Sequence, residues 1–250
     1  MLTSVDLNCD MGEVTSGNQD AAFMPFISSC SISCAAHAGT WDVIRRTAEA
    51  ALTHGVAIGA HPSYPDRENL GRGSMAMDAE ALMATVCEQL TQLGDHVRTL
   101  GGEVSYVKPH GALYNDMYRD HTIAALVLDA IVEAGAPKVV YGRSGSSVTD
   151  LARERGFRFV HEAFADRRYL PSLELVSRSE PGAVLASEAE VLDQVESLVR
   201  DASVTTSDGT PITLSVESIC IHSDSPGALD AARAIHAFLR GNDVRIASPA

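Results

Sequence analysis

Seven short apolar runs recur along this chain, and each run ends beside polar residues that can take part in chemistry. Strands buried on both faces appear in sequence as continuous apolar runs, so we expect the seven runs to be strands. α/β barrels and open α/β sheets build their active sites at the carboxyl ends of such strands. The pattern therefore predicts one convergent face. The predicted strands lie near residues 3–9, 30–36, 56–60, 104–108, 138–141, 157–161 and 217–221.

Helical patterns alternate with these strands. The clearest one follows a predicted N-cap at Asp78, repeats leucine and valine at three- and four-residue spacing, and stops at Gly101–Gly102. Residues 205–212 have the composition of a turn or small hairpin. The other predicted helices are a short one near 19–27, one from the N-cap Thr40 to His54, and one at 119–134; three more run from Ser146 to Gly156, over 187–201, and from Ser225–Pro226 to about Arg240.

The order of these elements predicts an α/β fold built from serial βα units. Seven strands with long polar insertions at 61–75 and 163–185 favour a distorted TIM-like (β/α) barrel that forms a single domain over residues 1–250. A doubly wound open sheet is the alternative. The first βα turn lacks GxGxxG, so nothing in the sequence indicates a dinucleotide site.

Composition narrows the classes of partner. The formal net charge of −14 disfavours nucleic acid and anionic membranes, although a local basic cluster can still bind a small anion. No apolar segment reaches the roughly 18 residues of a membrane span, and the N-terminus does not resemble a signal peptide. The five cysteines are odd in number and form no CxxC, which favours free thiols and a cytoplasmic protein.

Candidate chemistry begins in the first strand. Asp6, Asn8 and Asp10 fall on one face of an extended strand because side chains alternate. Inward polar groups are costly unless they bind something or one another. With Glu13 in the following loop, they are predicted site residues.

His37 and His61 each follow a predicted strand, one βα unit apart. Together with Asp10 they would make a two-histidine, one-carboxylate set suited to a divalent metal. Histidines also serve as acid–base groups without a metal, and both interpretations stay open. Tyr64 and Arg72 belong to the proline-stiffened loop after His61, which we interpret as a binding loop.

Three further strands end in candidate residues. Lys108 and His110 follow the fourth strand, where the lysine offers a charge for phosphate or carboxylate and the histidine a proton relay. Glu162 and Asp166 follow the sixth strand, and Arg167–Arg168 come next in the sequence. His222 and Asp224 follow the last strand. There is no Walker A sequence, so any nucleotide is held by unconventional parts or by another subunit.

Six stretches, spread from end to end of the chain, together resemble the LamB/YcsF family. This resemblance implies a TIM-like barrel related to the glycoside hydrolase/deacetylase architecture. It also implies hydrolytic opening of 5-oxoproline (pyroglutamate) to L-glutamate, driven by ATP with Mg²⁺, in company with two further subunits. The stretches are DLNCDMGE (6–13), AHAG (36–39), GAHPSYPDRENLGR (59–72), VKPHGALYN (107–115), EAFADRRY (162–169) and ICIHSDSP (219–226).

Carried over onto this chain, the resemblance gives a set of site residues. We expect Lys108 to neutralise phosphate or oxyanion charge, Asp10 or Glu162 to act as general base, and His61 or His110 to protonate the leaving nitrogen. The chain departs from the family pattern around SISCAAHAGTWD and at Ser172–Leu173. The full set is Asp6, Asn8, Asp10, Glu13, His37, His61, Lys108, His110, Glu162, Asp166, His222 and Asp224.

Two other functions remain alternatives at this point. One is a divalent-metal-dependent, deacetylase-like hydrolase that acts on another amide or lactam. The other is a non-catalytic member of the complex. Self-association into a homo-oligomer also stays open.

Overall fold

A computed structural model of the protein describes residues 1–14, 19–145, 147–185, 187–225 and 227–250. Seven parallel strands form a barrel: β1 (Ser4–Met11), β2 (Ser29–Ser33), β3 (Ala57–His61), β4 (Val104–Val107), β5 (Val139–Arg143), β6 (Arg158–Phe164) and β9 (Ser218–His222). The barrel is closed because β1 pairs with both β2 and β9, so the open-sheet alternative is wrong.

Three short strands lie outside this ring. β7 (Ser203–Thr205) and β8 (Pro211–Thr213) form the small hairpin predicted for this region. β10 (Arg245–Ile246) adds to the first residues of β1. The barrel itself therefore contains the seven predicted strands.

Helices pack around the barrel and bury its outer face. The helices are α1 (Trp41–His54), α2 (Ala79–Thr99), α3 (Gly111–Arg119), α4 (His121–Glu133), α5 (Ser147–Glu154), α6 (Glu188–Asp201) and α7 (Ala228–Gly241). Thr40 and Asp78 cap α1 and α2 as predicted, since their side chains accept hydrogen bonds from the backbone N–H groups of Val43 and Ala81. None of the described helices combines the length and apolar character needed to cross a membrane.

Two helix predictions are wrong in detail. The helix predicted at 119–134 is two helices, because Asp120 leaves helical geometry and its side chain caps α4 through the N–H of Thr122. The helix predicted near 19–27 is two short 3₁₀ turns, Asp20–Ala22 and Met24–Phe26. Ser146 and Pro226, the predicted first residues of two helices, lie outside the described residues.

Polar side chains fill the interior of the barrel. Asn8 donates to Ser29 Oγ and to the Tyr106 hydroxyl, each at 2.6 Å, and accepts from Ser31. The ring of Tyr106 stacks on that of Tyr141 with centroids 3.9 Å apart. The Tyr106 ring fits because the neighbouring strand has no side chain at the paired position.

Gly59 provides that space. A Cβ atom added at this position would lie 2.1 Å from the Tyr106 ring. Most buried apolar residues belong to one core that extends from Val5 to Val244, whereas Tyr106, Tyr141 and Val160 form a separate small cluster. Most hydrophobic burial therefore lies between barrel and helices, and the barrel interior combines this small cluster with hydrogen-bonded polar groups.

Candidate active site

Lys108 occupies the centre of the carboxyl end of the barrel. It follows β4 directly, is 2% exposed, and is surrounded by acceptors from three other strands. Its Nζ lies 2.7 Å from Asp10 Oδ1 and 2.7 Å from Glu162 Oε1. It also lies 3.2 Å from Asn8 Oδ1 and 3.1 Å from Cys220 Sγ. The strand ends therefore converge on one ammonium group.

The charges of this cluster are mutually dependent. Burial alone would lower the pKa of Lys108, but Asp10, Cys220 and Glu162 raise it well above its ordinary value. Burial alone would raise the pKa of Asp10, but Lys108 and His61 hold it well below its ordinary range. Burial raises the pKa of Glu162, and Lys108 offsets only part of that effect. Asp10 is thus the firmly ionised partner of the ammonium.

His61 and His110 form a hydrogen-bonded pair beside Asp10. His61 Nδ1 lies 2.6 Å from the carbonyl oxygen of Lys108, and His110 Nε2 lies 3.0 Å from that of Leu70. A carbonyl oxygen only accepts, so both of these nitrogens carry a proton. His110 Nδ1 and His61 Nε2 are 2.9 Å apart, and one of them must donate to the other.

The second proton belongs to His61. Burial, together with His37 and His61, lowers the pKa of His110 well below its ordinary value, so His110 is neutral and its Nδ1 accepts. His61 Nε2 then donates, and His61 carries protons on both nitrogens. Burial would lower the pKa of His61, but Asp10, whose Oδ2 lies 3.4 Å from Nε2, raises it above its ordinary value. We assign an imidazolium at His61 from these contacts.

His37 packs against the ring of His110 in this pair. Its ring stacks on His110 with centroids 3.8 Å apart, and its two nitrogens contact Ser63 Oγ at 2.8 Å and Glu13 Oε1 at 3.1 Å. Burial lowers the pKa of His37 to about 3. Gly71 lies close against both rings, and a Cβ there would approach His37 Cβ to 2.8 Å. The first long loop therefore fixes the orientation of the histidines.

A second acid–base pair comes from β9 and the residues after β6. His222 Nδ1 lies 2.9 and 3.0 Å from the two oxygens of Asp166, and the Asp166 carboxylate also accepts from the His222 backbone N–H. Burial would raise the pKa of Asp166, but His222 holds it below its ordinary value. His222 Nε2 lies 3.9 Å from Asp10 Oδ2. A histidine whose Nδ1 is fixed by a carboxylate can exchange a proton at Nε2.

These groups open onto a cavity of about 730 Å³, which is a normal size for a small-molecule site. Its mouth carries an ion cluster in which Arg72 and Arg178 each contact Asp224 Oδ2 at 2.8 Å. Eight of the predicted site residues line the cavity: Asp10, Glu13, His61, Arg72, Lys108, His110, His222 and Asp224.

The remaining predicted site residues do not line the cavity. Asp6 lies deeper in the barrel, where its carboxylate accepts from Ser28, Ser29 and Ser218. Tyr64 is fully buried, and its hydroxyl donates to Asp116. Asn8, His37, Glu162 and Asp166 are buried and contact the cavity residues Lys108, Glu13 and His222.

Sequence reasoning misses some residues of the site. Arg178 lies in the polar segment 163–185, but no pattern distinguishes it from the other arginines of that segment. The apolar run around Cys220 favours a core thiol, whereas its Sγ contacts the ammonium. Arg168 turns away from the cavity and pairs with Glu190, while Arg167 lines it.

The predicted metal set does not assemble. Within the described residues, donor atoms come together as Asp10–Cys220–His222 and as Glu13–His37–His110, and His61 joins neither group. In the first, Lys108 already supplies a cation to Asp10 and Cys220. In the second, both histidines have each ring nitrogen in a hydrogen bond. Both groups are thus engaged with protein partners here, and a divalent metal at this site stays a prediction.

Known proteins resemble this chain over nearly its whole length. A family model described as the LamB/YcsF family matches residues 5–250. A protein from Mycobacterium avium, named as the A subunit of 5-oxoprolinase, is 42% identical over 250 residues, covering 98% of each chain. Its namesake from Bordetella parapertussis is 39% identical over 249 residues, covering 98% of this chain and 99% of the relative.

Solved structures share the fold. The crystal structure of a lactam utilization protein from Thermus thermophilus superposes with a TM-score of 0.88 at 32% identity, covering 98% of this chain and 99% of that one. A family 4 carbohydrate esterase from Streptomyces lividans, in complex with acetate, superposes with a TM-score of 0.51 at 11% identity, covering 99% of this chain and 93% of that one. The latter similarity concerns the barrel alone.

Proposed function

This chain belongs to the LamB/YcsF family, and from that premise we propose that it is the lactam-opening subunit of an ATP-dependent 5-oxoprolinase. The reaction is the hydrolysis of 5-oxoproline to L-glutamate. Full-length relatives at about 40% identity bear the name of a 5-oxoprolinase component, and one of similar structure is called a lactam utilization protein. The observation that carries the proposal is the buried Lys108 cluster opening onto a cavity of small-molecule size.

Opening this ring requires activation of the amide. An unstrained five-membered lactam is resonance-stabilised and therefore a poor electrophile. Transfer of a phosphoryl group from ATP to the carbonyl oxygen makes the carbon attackable by water. Water then adds to that carbon, the ring C–N bond breaks and the nitrogen takes a proton, which leaves the γ-carboxyl group as an acyl phosphate. A second water hydrolyses this acyl phosphate to L-glutamate and inorganic phosphate, and ADP is the other product.

Lys108 is the group suited to the charge that develops on oxygen. Its ammonium is held by Asp10 and Glu162, so it is already positioned before the charge appears. Preorganised charges in a water-poor site stabilise transition states strongly. We expect this residue to contribute most to the chemical step.

His222 is the best candidate for the base that activates water. Asp166 orients its ring, and His222 belongs to the cavity wall. The sequence-derived candidates are less suitable, since Lys108 holds the pKa of Asp10 well below its ordinary range and Glu162 does not reach the cavity. Asp10 instead orients Lys108 and His61.

His61 is the candidate acid for the leaving nitrogen. Its second proton, held between Asp10 and His110, gives it an N–H to donate. General acid catalysis by a positioned imidazolium is typically worth about 10²–10⁴ in rate. A nitrogen anion would otherwise be a very poor leaving group.

We propose that ATP with Mg²⁺ is brought to this reaction by the two further subunits. The chain has no Walker A sequence, and the cavity has a size that suits a lactam. A cytoplasmic location also belongs to this proposal. Its support is the set of free cysteines, which persist in a reducing compartment.

The test is reconstitution of the purified chain with its partner subunits, ATP, Mg²⁺ and 5-oxoproline, followed by measurement of glutamate release. We expect turnover that depends on this chain and falls when Lys108 is replaced by methionine. An intact complex that releases no glutamate would contradict the proposal. Elemental analysis separates the metal-dependent alternative, because a stoichiometric divalent ion in the chain alone, required for turnover, would favour it.

A further inference from the structure

Five of the chain's 19 basic residues line the cavity, although the protein as a whole carries a net charge of −14. One of them, Lys108, belongs to the catalytic cluster. Three of the others gather on the side of the cavity formed by the two long loops. This local excess of cations indicates that the site binds an anion. The five basic residues are Arg72, Lys108, Arg119, Arg167 and Arg178.

The three arginines Arg72, Arg167 and Arg178 share few acceptors. Arg72 and Arg178 contact the same oxygen of Asp224. Arg167 is 7% exposed, and its Nη2 donates to the carbonyl oxygen of Val176. Burial, with Arg178 close by, lowers the pKa of Arg167 to about 10. Crowded like charges of this kind are stabilised by an anion placed among them.

Two buried N–H groups of this cluster have no acceptor among the described residues. They are Arg167 Nε and Arg178 Nη2. A buried donor without an acceptor is costly, and native proteins rarely retain one without a reason. Two such donors, one from each guanidinium, match the two oxygens of a carboxylate.

We propose that Arg167 and Arg178, supported by Arg72, form a subsite that binds the carboxylate of the lactam substrate. The inference rests on the proposed function and adds how the substrate is chosen. Arg167 follows Asp166 in the chain, and Asp166 holds His222. Since Arg167, Arg178 and His222 line the same cavity, a carboxylate bound here holds the ring of 5-oxoproline in the cavity that contains the proposed base. Simple lactams that lack the carboxylate lose this anchor.

The experiment compares 5-oxoproline with 5-oxoprolinamide, which has the same ring but a neutral amide in place of the carboxylate. Steady-state kinetics are measured on the complex with its partner subunits, ATP and Mg²⁺. In the wild type we expect kcat/KM to favour the carboxylate by about 30-fold, as charge-assisted hydrogen bonds would give. In Arg178→Met we expect that preference to fall below about 3-fold, mainly through a higher KM for 5-oxoproline.

Two further variants make the result specific. Arg167→Lys keeps a buried cation but removes the guanidinium donors, and we expect it to reduce the preference as well. Arg168→Met is the matched control, since Arg168 neighbours Arg167 but pairs with Glu190 on the outside. We expect it to retain the wild-type preference.

Each outcome separates this inference from the proposed function. Turnover of 5-oxoproline with an unchanged preference in both Arg178→Met and Arg167→Lys would overturn the subsite and leave the function standing. A wild type that accepts the amide equally well would do the same. Inhibition by inorganic phosphate that weakens in Arg178→Met, with the preference retained, would assign the arginines to phosphate instead. A wild-type complex that turns over neither compound would overturn both.

Discussion

The two ends of strand β1 place the same residue type in opposite circumstances. Asp6 lies near the amino end of the barrel, and its oxygens accept hydrogen bonds from three serines. Asp10 lies four residues further along the same face, at the cavity, against Lys108 and His61. Both are inward-pointing and buried. Their neighbours alone make one a closed structural group and the other part of a reactive cluster.

The difference shows in the direction of the pKa shifts. Burial raises the pKa of Asp6, and the serine hydroxyl groups offset only part of this effect. Burial would act likewise on the pKa of Asp10, but two positive neighbours reverse it. A neutral hydrogen-bonding environment suffices to bury a polar group, whereas a fixed charge pair creates a field that can act on a ligand. The mouth of the barrel is therefore where substitutions should affect chemistry most.

The largest effect is expected from removing the ammonium group of Lys108 at the carboxyl end of the barrel. Lys108→Met leaves Asp10 and Glu162 buried without their partner, so we expect kcat to fall by about 10³-fold or more and stability to fall by about 3–5 kcal/mol. The chain offers a natural control, because its other lysine, Lys138, is exposed at the opposite end of the barrel. Glutamate release and urea unfolding measure both quantities. Near-wild-type turnover in Lys108→Met would show that the Lys108 cluster does not take part in the reaction.

The direct comparison is Asp10→Asn against Asp6→Asn. Asp10→Asn removes the charge that orients Lys108 and holds the proton on His61, so we expect kcat to fall by about 10²–10³-fold. Asp6→Asn leaves one serine hydroxyl without its acceptor, so we expect a stability loss of about 1–3 kcal/mol and little change in kcat. Equal losses of activity in the two folded variants would show that the base and mouth of the barrel do not differ in function.

Sequence patterns predict the strands of the barrel because each βα unit can be recognised from a short stretch of neighbouring residues. Each strand is a short apolar run, and each closes with a polar residue, so counting runs is enough to place Asp10, His61, Lys108 and His222 on one face. The alternation in β1 likewise predicts that Asp6, Asn8 and Asp10 point the same way. Closure of the ring does not follow from these runs alone, because the same order of βα units also fits an open sheet, and the pairing of β1 with β9 decides between the two.

What the sequence does not show is which neighbours each inward-pointing carboxylate contacts. Asp6 and Asp10 look alike as members of one alternating pattern, and only the register of β1 against β2 and β9 shows which one meets serines and which meets Lys108. The sequence likewise does not show that Arg178 lines the cavity. It depends on how the segment between β6 and α6 folds back, and such long loops carry no periodic signal.

A smaller effect is expected at the second acid–base pair. Asp166→Asn removes the acceptor that fixes His222 Nδ1, and we expect kcat to fall by about 10²-fold, because the ring is then free to adopt the wrong tautomer. The control is Glu217→Gln, just before the amino end of β9, where Glu217 accepts from the His161 backbone N–H. We expect that variant to change kcat by less than about 2-fold, since acid–base effects require contact with the reacting groups. Comparable losses in both would indicate a general effect of disturbing β9.

The smallest expected effect is also the most specific, because it concerns whether the free energy of unfolding rises or falls with pH. Asp6 has a raised pKa in the folded state, so the folded protein retains a proton that the unfolded chain has lost. Its contribution to stability therefore falls as pH rises above about 3.9 towards the folded pKa. Asp10 has a lowered pKa, so its contribution is present above about 3.9 and is lost as pH falls below that value.

Urea unfolding of the wild type, Asp6→Asn and Asp10→Asn between about pH 3 and pH 7 measures these slopes. Relative to Asp6→Asn, the wild type should lose stability as pH rises from about 3.9. Relative to Asp10→Asn, it should lose stability as pH falls through the lower part of this range. Each unit of pKa difference is worth about 1.4 kcal/mol, which urea unfolding can resolve. Slopes of the same sign would mean that the charge of Lys108 does not distinguish the two carboxylates, and the electrostatic contrast between the ends of the barrel would not hold.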